Sequence, residues 1–294
     1  MQPTSRCNLT RSTSISNMET LIPTLPRVLR IKILPVLWLI AFTLTSYAQN
    51  PAPPPKIIHA FVALCDNASQ GIAPVPPKIG NGDDPDQNLY WGCDDGLRAV
   101  FSKSKSWQKL PAPATGLDPD GVGPILQRLV FRHRATGALL VGDAYRGREI
   151  KTCMADYFAA LAGHHPVKIK TGELEFDAGG AAGLIAYLGH NGLMDFKVEV
   201  PMPTLAVKSA PRTAIALCCL SQSWFWPNLE TTGARPLILT RQLMYPAAQL
   251  LHEGAAGWLA GADAATCTAR AANAYATNQK ISRKAAAGVL ASGF

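Results

Sequence analysis

Ala182-Gly-Leu-Ile-Ala-Tyr-Leu-Gly-His-Asn-Gly192 and Thr213-Ala-Ile-Ala-Leu-Cys-Cys-Leu-Ser221 decide how this chain folds. Each is an apolar run that stops abruptly at glycine or polar residues. Short apolar runs bounded by turn residues fit strands buried on both faces. Ile57-Ile-His-Ala-Phe-Val-Ala-Leu64 ends the same way at Cys65-Asp66-Asn67, and Leu237-Ile-Leu-Thr240 is a shorter run of the same kind. Helical spacing lies between them. Leu89, Gly92, Cys93, Gly96, Leu97, Val100 and Phe101 share one face of a helix predicted over Asn88 to Lys103. Ile150, Cys153, Met154, Tyr157, Phe158 and Leu161 do so within Glu149 to Ala162, which Gly163-His-His-Pro166 stops. Gln249 to Ala260 and the Ala-rich Ala264 to Leu290 also read as helix. Arg128 to Arg134 and Ala138 to Val141 flank Ala135-Thr-Gly137 as a hairpin. Residues 69–86 and 111–124 read as loops. Strands alternating with helices predict an α/β fold: a mostly parallel central sheet flanked by helices, in three layers. Residues 57–294 show no internal repeat and no second-domain boundary.

The first residues carry a different signal. Arg27, Arg30 and Lys32 precede Ile33 to Leu44, an uncharged and mostly apolar run, and Ser46-Tyr47-Ala48 is a small-x-small cleavage pattern. Residues 1–48 thus have the layout of a secretory signal peptide. The apolar run is short for a membrane span, which needs about 20 residues; an uncleaved anchor is the alternative. No Cys follows the cleavage site, which argues against a lipid anchor, and Met18 is a candidate start. Residues 49–56, with Pro51-Ala-Pro-Pro-Pro55, read as a stiff tether. The expected location is secreted or periplasmic, with no stable membrane span after cleavage.

The whole chain of 294 residues has 28 Lys+Arg against 20 Asp+Glu, a net +8. Residues 1–48 hold Arg6, Arg11, Arg27, Arg30 and Lys32 against Glu19, half of that excess. The rest is spread without a basic run of five, so nucleic acid loses its support as a partner. At 48% hydrophobic and 16% charged, the composition also excludes a disordered chain.

In open α/β sheets, ligand sites lie beyond the carboxyl ends of the strands. His190 and Cys219 both fall there. A Cys nucleophile attacks as thiolate and needs a nearby base, usually His. Gly189 and Gly192 allow a sharp turn and a close approach of backbone N–H groups to a carbonyl. An apolar strand ending in His with a nearby Gly, then one ending small-Cys-x-Ser, resembles the caspase–hemoglobinase group of cysteine peptidases. The resemblance implies a caspase-like sandwich and a cysteine endopeptidase acting on a peptide or protein substrate, without cofactor or metal. It makes Cys219 the nucleophile, His190 the catalytic His, and the Gly192 and Cys219 backbone amides the oxyanion hole. Ser221 takes the small polar position after Cys219 and is a candidate substrate-binding residue. The chain departs from the group's pattern at Asn191, which separates His190 from Gly192, at Leu217, and in the 29-residue separation of His190 and Cys219. A catalytically inactive caspase-like binding module of the cell envelope is the competing expectation.

Cys218 is a rival nucleophile, because alternation along a strand sends only one of the two toward His190. Asp83, Asp84 and Asp86 have alternate oxygen ligands, as calcium loops do, but lack the closing Glu. They read either as a solvated turn capping the next helix or as carboxylates that attract a basic substrate residue. Trp224 and Trp226 follow the Cys219 strand and read equally as residues lining a substrate groove or as core or interface aromatics. His164-His165 has no third ligand at metal spacing. Cys65 and Cys93, on adjoining elements, are either a disulfide or two small core residues.

Overall fold

The computed structural model describes residues 56–113, 122–203 and 211–292. The signal-peptide and tether segments, apart from Lys56, lie outside these residues. These described residues belong to one compact unit.

The apolar runs become the centre of a sheet. Strands β1 (Ile57–Ala63), β4 (Leu139–Tyr145), β7 (Leu184–Leu188), β8 (Thr213–Leu217) and β9 (Arg235–Thr240) are parallel, and nearly every residue of β1, β4, β7 and β8 is buried. β2 (Trp107–Lys109) and β3 (Ile125–His133) extend the sheet antiparallel beyond β4, and β10 (Leu290–Ala291) closes the other edge antiparallel to β9. The order is β10-β9-β8-β7-β1-β4-β3-β2. A separate hairpin, β5 (Pro166–Thr171) with β6 (Leu174–Gly179), covers part of one face.

Period-2 alternation divides the core. Ile58, Ala60, Val62 and Leu64 face one helical layer; Phe61 and Ala63 face the other. The first layer comprises α1 (Leu97–Lys103), α4 (Ala248–Leu259), α5 (Ala264–Gln279) and α6 (Arg283–Val289). The second comprises α2 (Ile150–Ala162) and α3 (Ser221–Thr232). In the second layer Tyr157, Phe158, Tyr187 and Phe225 pack ring on ring at centroid distances of 5.1–6.0 Å. The chain is therefore α/β, a large mostly parallel sheet with helices on both faces.

Several elements differ from their sequence signatures. The helix predicted from Asn88 begins only at Leu97, capped by Gly96, and residues 88–96 are turns. The reason is Asn88, fully buried. Its Oδ1 accepts the Cys65 and Tyr90 amides at 3.0 and 3.1 Å, and its Nδ2 donates to the Cys65 and Asn81 carbonyls at 2.8 and 2.9 Å. That pins the segment to the end of β1. The Ala-rich segment from Ala264 breaks at Lys280, in the left-handed region at φ 53°, and restarts where the Ser282 hydroxyl accepts the Ala285 amide. α3 runs through Pro227 and had no counterpart among the predicted elements. All six cysteines among the described residues are free thiols, so Cys65 and Cys93 are unbonded.

Candidate functional site

In chain order the parallel strands β1, β4, β7, β8 and β9 lie 2-1-3-4-5 across the sheet. The order reverses between β1 and β7. Beyond the carboxyl ends of such strands the connections diverge to opposite faces and leave a crevice where ligands bind. His190 follows β7 and Cys219 follows β8, each two residues beyond the paired Leu188 and Leu217.

The β7 turn depends on Gly189. Its φ of +154° disfavours a side chain, and a Cβ there would lie 3.0 Å from the Ala63 carbonyl oxygen. The Tyr187 hydroxyl donates to the His190 carbonyl at 2.7 Å. His190 Nε2 lies 2.6 Å from Asp195 Oδ2, across a short 3-10 turn (Gly192–Met194), and the His190 side chain is only 9% exposed. The carboxylate fixes the ring and leaves Nδ1 as the nitrogen free for other work.

Cys219 stands on a sharp strand-to-helix turn. Leu220 is forced to φ 53°, a conformation that non-glycine residues adopt at a cost and that clusters at functional sites. The turn is locked from both sides. Ser221 Oγ donates to the Ala216 carbonyl at 2.8 Å, the Thr240 amide donates to Ser221 Oγ at 2.8 Å, and the Thr240 hydroxyl donates to the Cys218 carbonyl. Cys218 points into the aromatic layer between sheet, α2 and α3; it is fully buried, and burial pushes its thiol well above the ordinary range. Cys219 takes the other direction and is partly exposed. Its Sγ receives the Met244 amide at 3.4 Å. The thiol also donates to the Met244 carbonyl at 3.6 Å. Asn191 joins the two turns: fully buried, it donates from Nδ2 to the Cys219 carbonyl at 2.6 Å. No hydrogen bond joins His190 to Cys219 among the described residues.

Other expected site residues sit elsewhere. Ser221 is fully buried in the lock just described, so it positions Cys219 and presents nothing to a substrate. The Gly192 amide turns back onto the His190 carbonyl at 3.1 Å and is not directed at an incoming carbonyl. The Gly192 Cα is packed against Phe196 and Met154. Asp83 pairs with Arg146 and Arg148, and Asp86 with Arg98. Asp84 Oδ1 accepts the Asp86 and Gln87 amides. These carboxylates are engaged within the fold as a charged turn, and none caps a helix at Asn88. Trp224 is 42% exposed on α3, whereas Trp226 packs partly against the aromatic layer. His164 contacts the Met202 carbonyl and His165 pairs with Asp156 at 3.5 Å. Among the described residues no three His, Cys, Asp or Glu side chains converge as a metal site.

Asp195, Met244 and Thr240 also shape the site, beyond the residues expected from sequence. Asp195 had a signal, an acidic residue five positions after His190 in a short turn. The other two are brought back by tertiary structure and had none.

A buried ionic cluster was likewise not expected from sequence. Asp143, inside β4, receives Arg128 through Nε and Nη2, both at 2.6 Å, and lies 3.0 Å from His59 Nε2. The Gly179 amide donates to His59 Nδ1 at 2.9 Å, so the ring proton is on Nε2 and is given to Asp143. Burial pushes the His59 pKa down. Burial would raise that of Asp143, but His59 and Arg128 overcome it and hold the carboxyl down at about 2. This cluster ties the β5–β6 hairpin to the sheet and is closed to solvent.

Comparison with family models, with curated proteins and with solved structures finds no match for this chain.

Proposed function

We propose that the chain is an exported cysteine endopeptidase of the caspase–hemoglobinase type, working through a Cys219–His190 pair. The observation that carries this reading is the placement of two chemically distinct strand ends side by side. One is a partly exposed thiol on a strained turn; the other is an imidazole held by a carboxylate. They lie beyond adjacent parallel strands, next to the crevice where the strand order reverses. The caspase-like assignment itself rests on the two strand-end motifs, and export on the pattern of residues 1–48.

In this mechanism Cys219 Sγ attacks the scissile carbonyl and forms a thioester. His190, oriented by Asp195, protonates the departing amine and then takes a proton from the hydrolytic water. The Cys219 amide N–H faces the developing oxyanion. Trp224, exposed three residues into α3, is placed to line the groove for peptide.

The competing reading, an inactive binding module of the cell envelope, is favoured by one feature: the Gly192 amide is already occupied. The two separate on a mixed peptide library cleaved by the purified protein and by its Cys219→Ala and Cys218→Ala variants. The peptidase reading expects turnover lost in the first variant and kept in the second. Equal inertness of all three, with folding intact, leaves the binding module.

A further inference from the structure

A cavity of about 940 Å³ opens where the end of α1 meets α4 and α5 and shares no lining residue with the His190–Cys219 site. That volume suits a small molecule. Ser104, which ends α1, lies on its wall with Oγ 2.8 Å from His252 Nε2. His252 Nδ1 lies 3.0 Å from Glu253 Oε1. The other carboxylate oxygen of Glu253 takes Arg270 Nη2 at 2.6 Å, and Arg270 Nε donates to the Glu253 carbonyl at 3.2 Å, so the acid is itself held. The imidazole is seated against Phe101 at a centroid distance of 5.4 Å. With the carboxylate on Nδ1, the ring proton sits there, and Nε2 is the acceptor for the Ser104 hydroxyl. Nucleophile, base and orienting acid stand in the relation that defines an activated hydroxyl.

Two further groups on this wall concern the substrate. Gln249 Oε1 is buried with no hydrogen-bond partner among the described residues, although its amide nitrogen donates to Asp95 at 2.8 Å. An orphaned buried acceptor is costly unless something supplies a donor. Lys105, adjacent to Ser104, is an exposed cation on the same wall, with no carboxylate paired to it among the described residues.

We propose that this cavity is a second, serine-dependent acyl-ester hydrolase site, distinct from the thiol site. Its substrate is a small carboxylic ester bearing a hydroxyl or amide N–H that meets Gln249 Oε1. Ser104 Oγ attacks the acyl carbonyl while His252 takes its proton. The tetrahedral oxyanion collapses to an acyl-Ser104 ester, and the leaving alcohol departs with the proton from His252. Water, deprotonated by His252, then releases the carboxylic acid and restores Ser104. Lys105 faces the oxyanion.

The test treats the full chain, with its thiols first blocked by N-ethylmaleimide, with a fluorophosphonate probe and maps the labelled peptide by mass spectrometry. Hydrolysis of p-nitrophenyl butyrate is measured alongside. The expected result is label on Ser104 and hydrolysis that falls by roughly 10²-fold in Ser104→Ala and in His252→Gln. Circular dichroism confirms that both variants keep the wild-type fold; Ser104→Gly replaces a variant that does not. Absence of label on Ser104 in the folded wild type, or hydrolysis equal in wild type and the serine variant, overturns the proposal. Because the thiols are blocked, neither result depends on Cys219.

Discussion

Asp195 controls the ring of His190, and at this scale the site is most sensitive. The 2.6 Å contact fixes which imidazole nitrogen remains available. Asp195 is 38% exposed, so replacing it does little to the core. Asp195→Asn is expected to lower kcat for peptide cleavage by roughly 10²-fold while leaving KM and the melting temperature close to wild type. Steady-state kinetics with calorimetry checks this; an unchanged kcat removes Asp195 from the mechanism. His190 and Cys219 were legible because an apolar run that ends at a polar residue identifies a strand end without any knowledge of neighbours. The choice of Cys219 over Cys218 was only half legible. Alternation says that the two thiols diverge, but the aromatic layer that claims Cys218 is assembled from α2, α3 and β7. The role of Ser221 is hidden in the sequence for the same reason. Its partners, Ala216 and Thr240, mark it as a lock only once β8 and β9 are paired.

Among elements, β1, β3, β4, β7, β8 and β9 were legible in the sequence, whereas β2, β5, β6, β10 and the helix α3 were not. Runs such as Thr213–Leu217 are apolar on both faces because helices cover both, and that pattern survives without knowing which helices. α3 escaped because Pro227 interrupts its register, and its first turn is set by the Ser221 and Thr240 lock rather than by a capping motif. The alternation of β5, with Val167, Ile169 and Thr171 inward, is present in the sequence but is carried between lysines rather than in an apolar run. α1 falls short of its predicted start, and residues 88–96 run as turns pinned to the end of β1 by the four hydrogen bonds of the buried Asn88 side chain. Asn88→Ala strands several of those backbone groups. It is expected to destabilise the fold by about 3 kcal/mol, measured by urea denaturation. A loss below about 0.5 kcal/mol means that water replaces the pin.

For the whole molecule, strand order and the ionic cluster in the sheet were beyond sequence reading, since both depend on which runs become neighbours. His59 sits in an apolar run and Asp143 in a strand otherwise buried and apolar; only their pairing across β1 and β4 explains them. The cluster gives the fold a definite response to acid. Asp143 is held low, so its contribution is present above its unfolded value of about 4 and is lost as pH falls toward about 2. His59 is also lowered, by burial, and stays neutral in the fold; the unfolded chain therefore binds more protons as pH drops below about 6.5. His133, lowered by burial and by nearby His252, adds the same sign. Stability should thus decline in two windows, below about pH 6.5 and again below about pH 4. Asp143→Asn removes a counter-charge of the buried Arg128. It is expected to cost about 3 kcal/mol at neutral pH and to flatten the lower window, read from denaturation curves between pH 2 and 8. A variant with the wild-type acid profile assigns that window to other carboxylates.

No helix among the described residues is long and apolar enough to cross a membrane. The central claim concerns one sulfur among the six free thiols of the described residues, and alkylation rates test it most directly. The intact folded protein is exposed to limiting iodoacetamide, and each cysteine is quantified by mass spectrometry in wild type and in His190→Ala. Cys93 serves as the internal reference, since it is also partly exposed and its thiol is pushed up by burial and by Asp94 and Asp95. The account predicts that Cys219 reacts roughly tenfold or more faster than Cys93 and loses that advantage in His190→Ala. A Cys219 rate no greater than that of Cys93, or unchanged without His190, contradicts it.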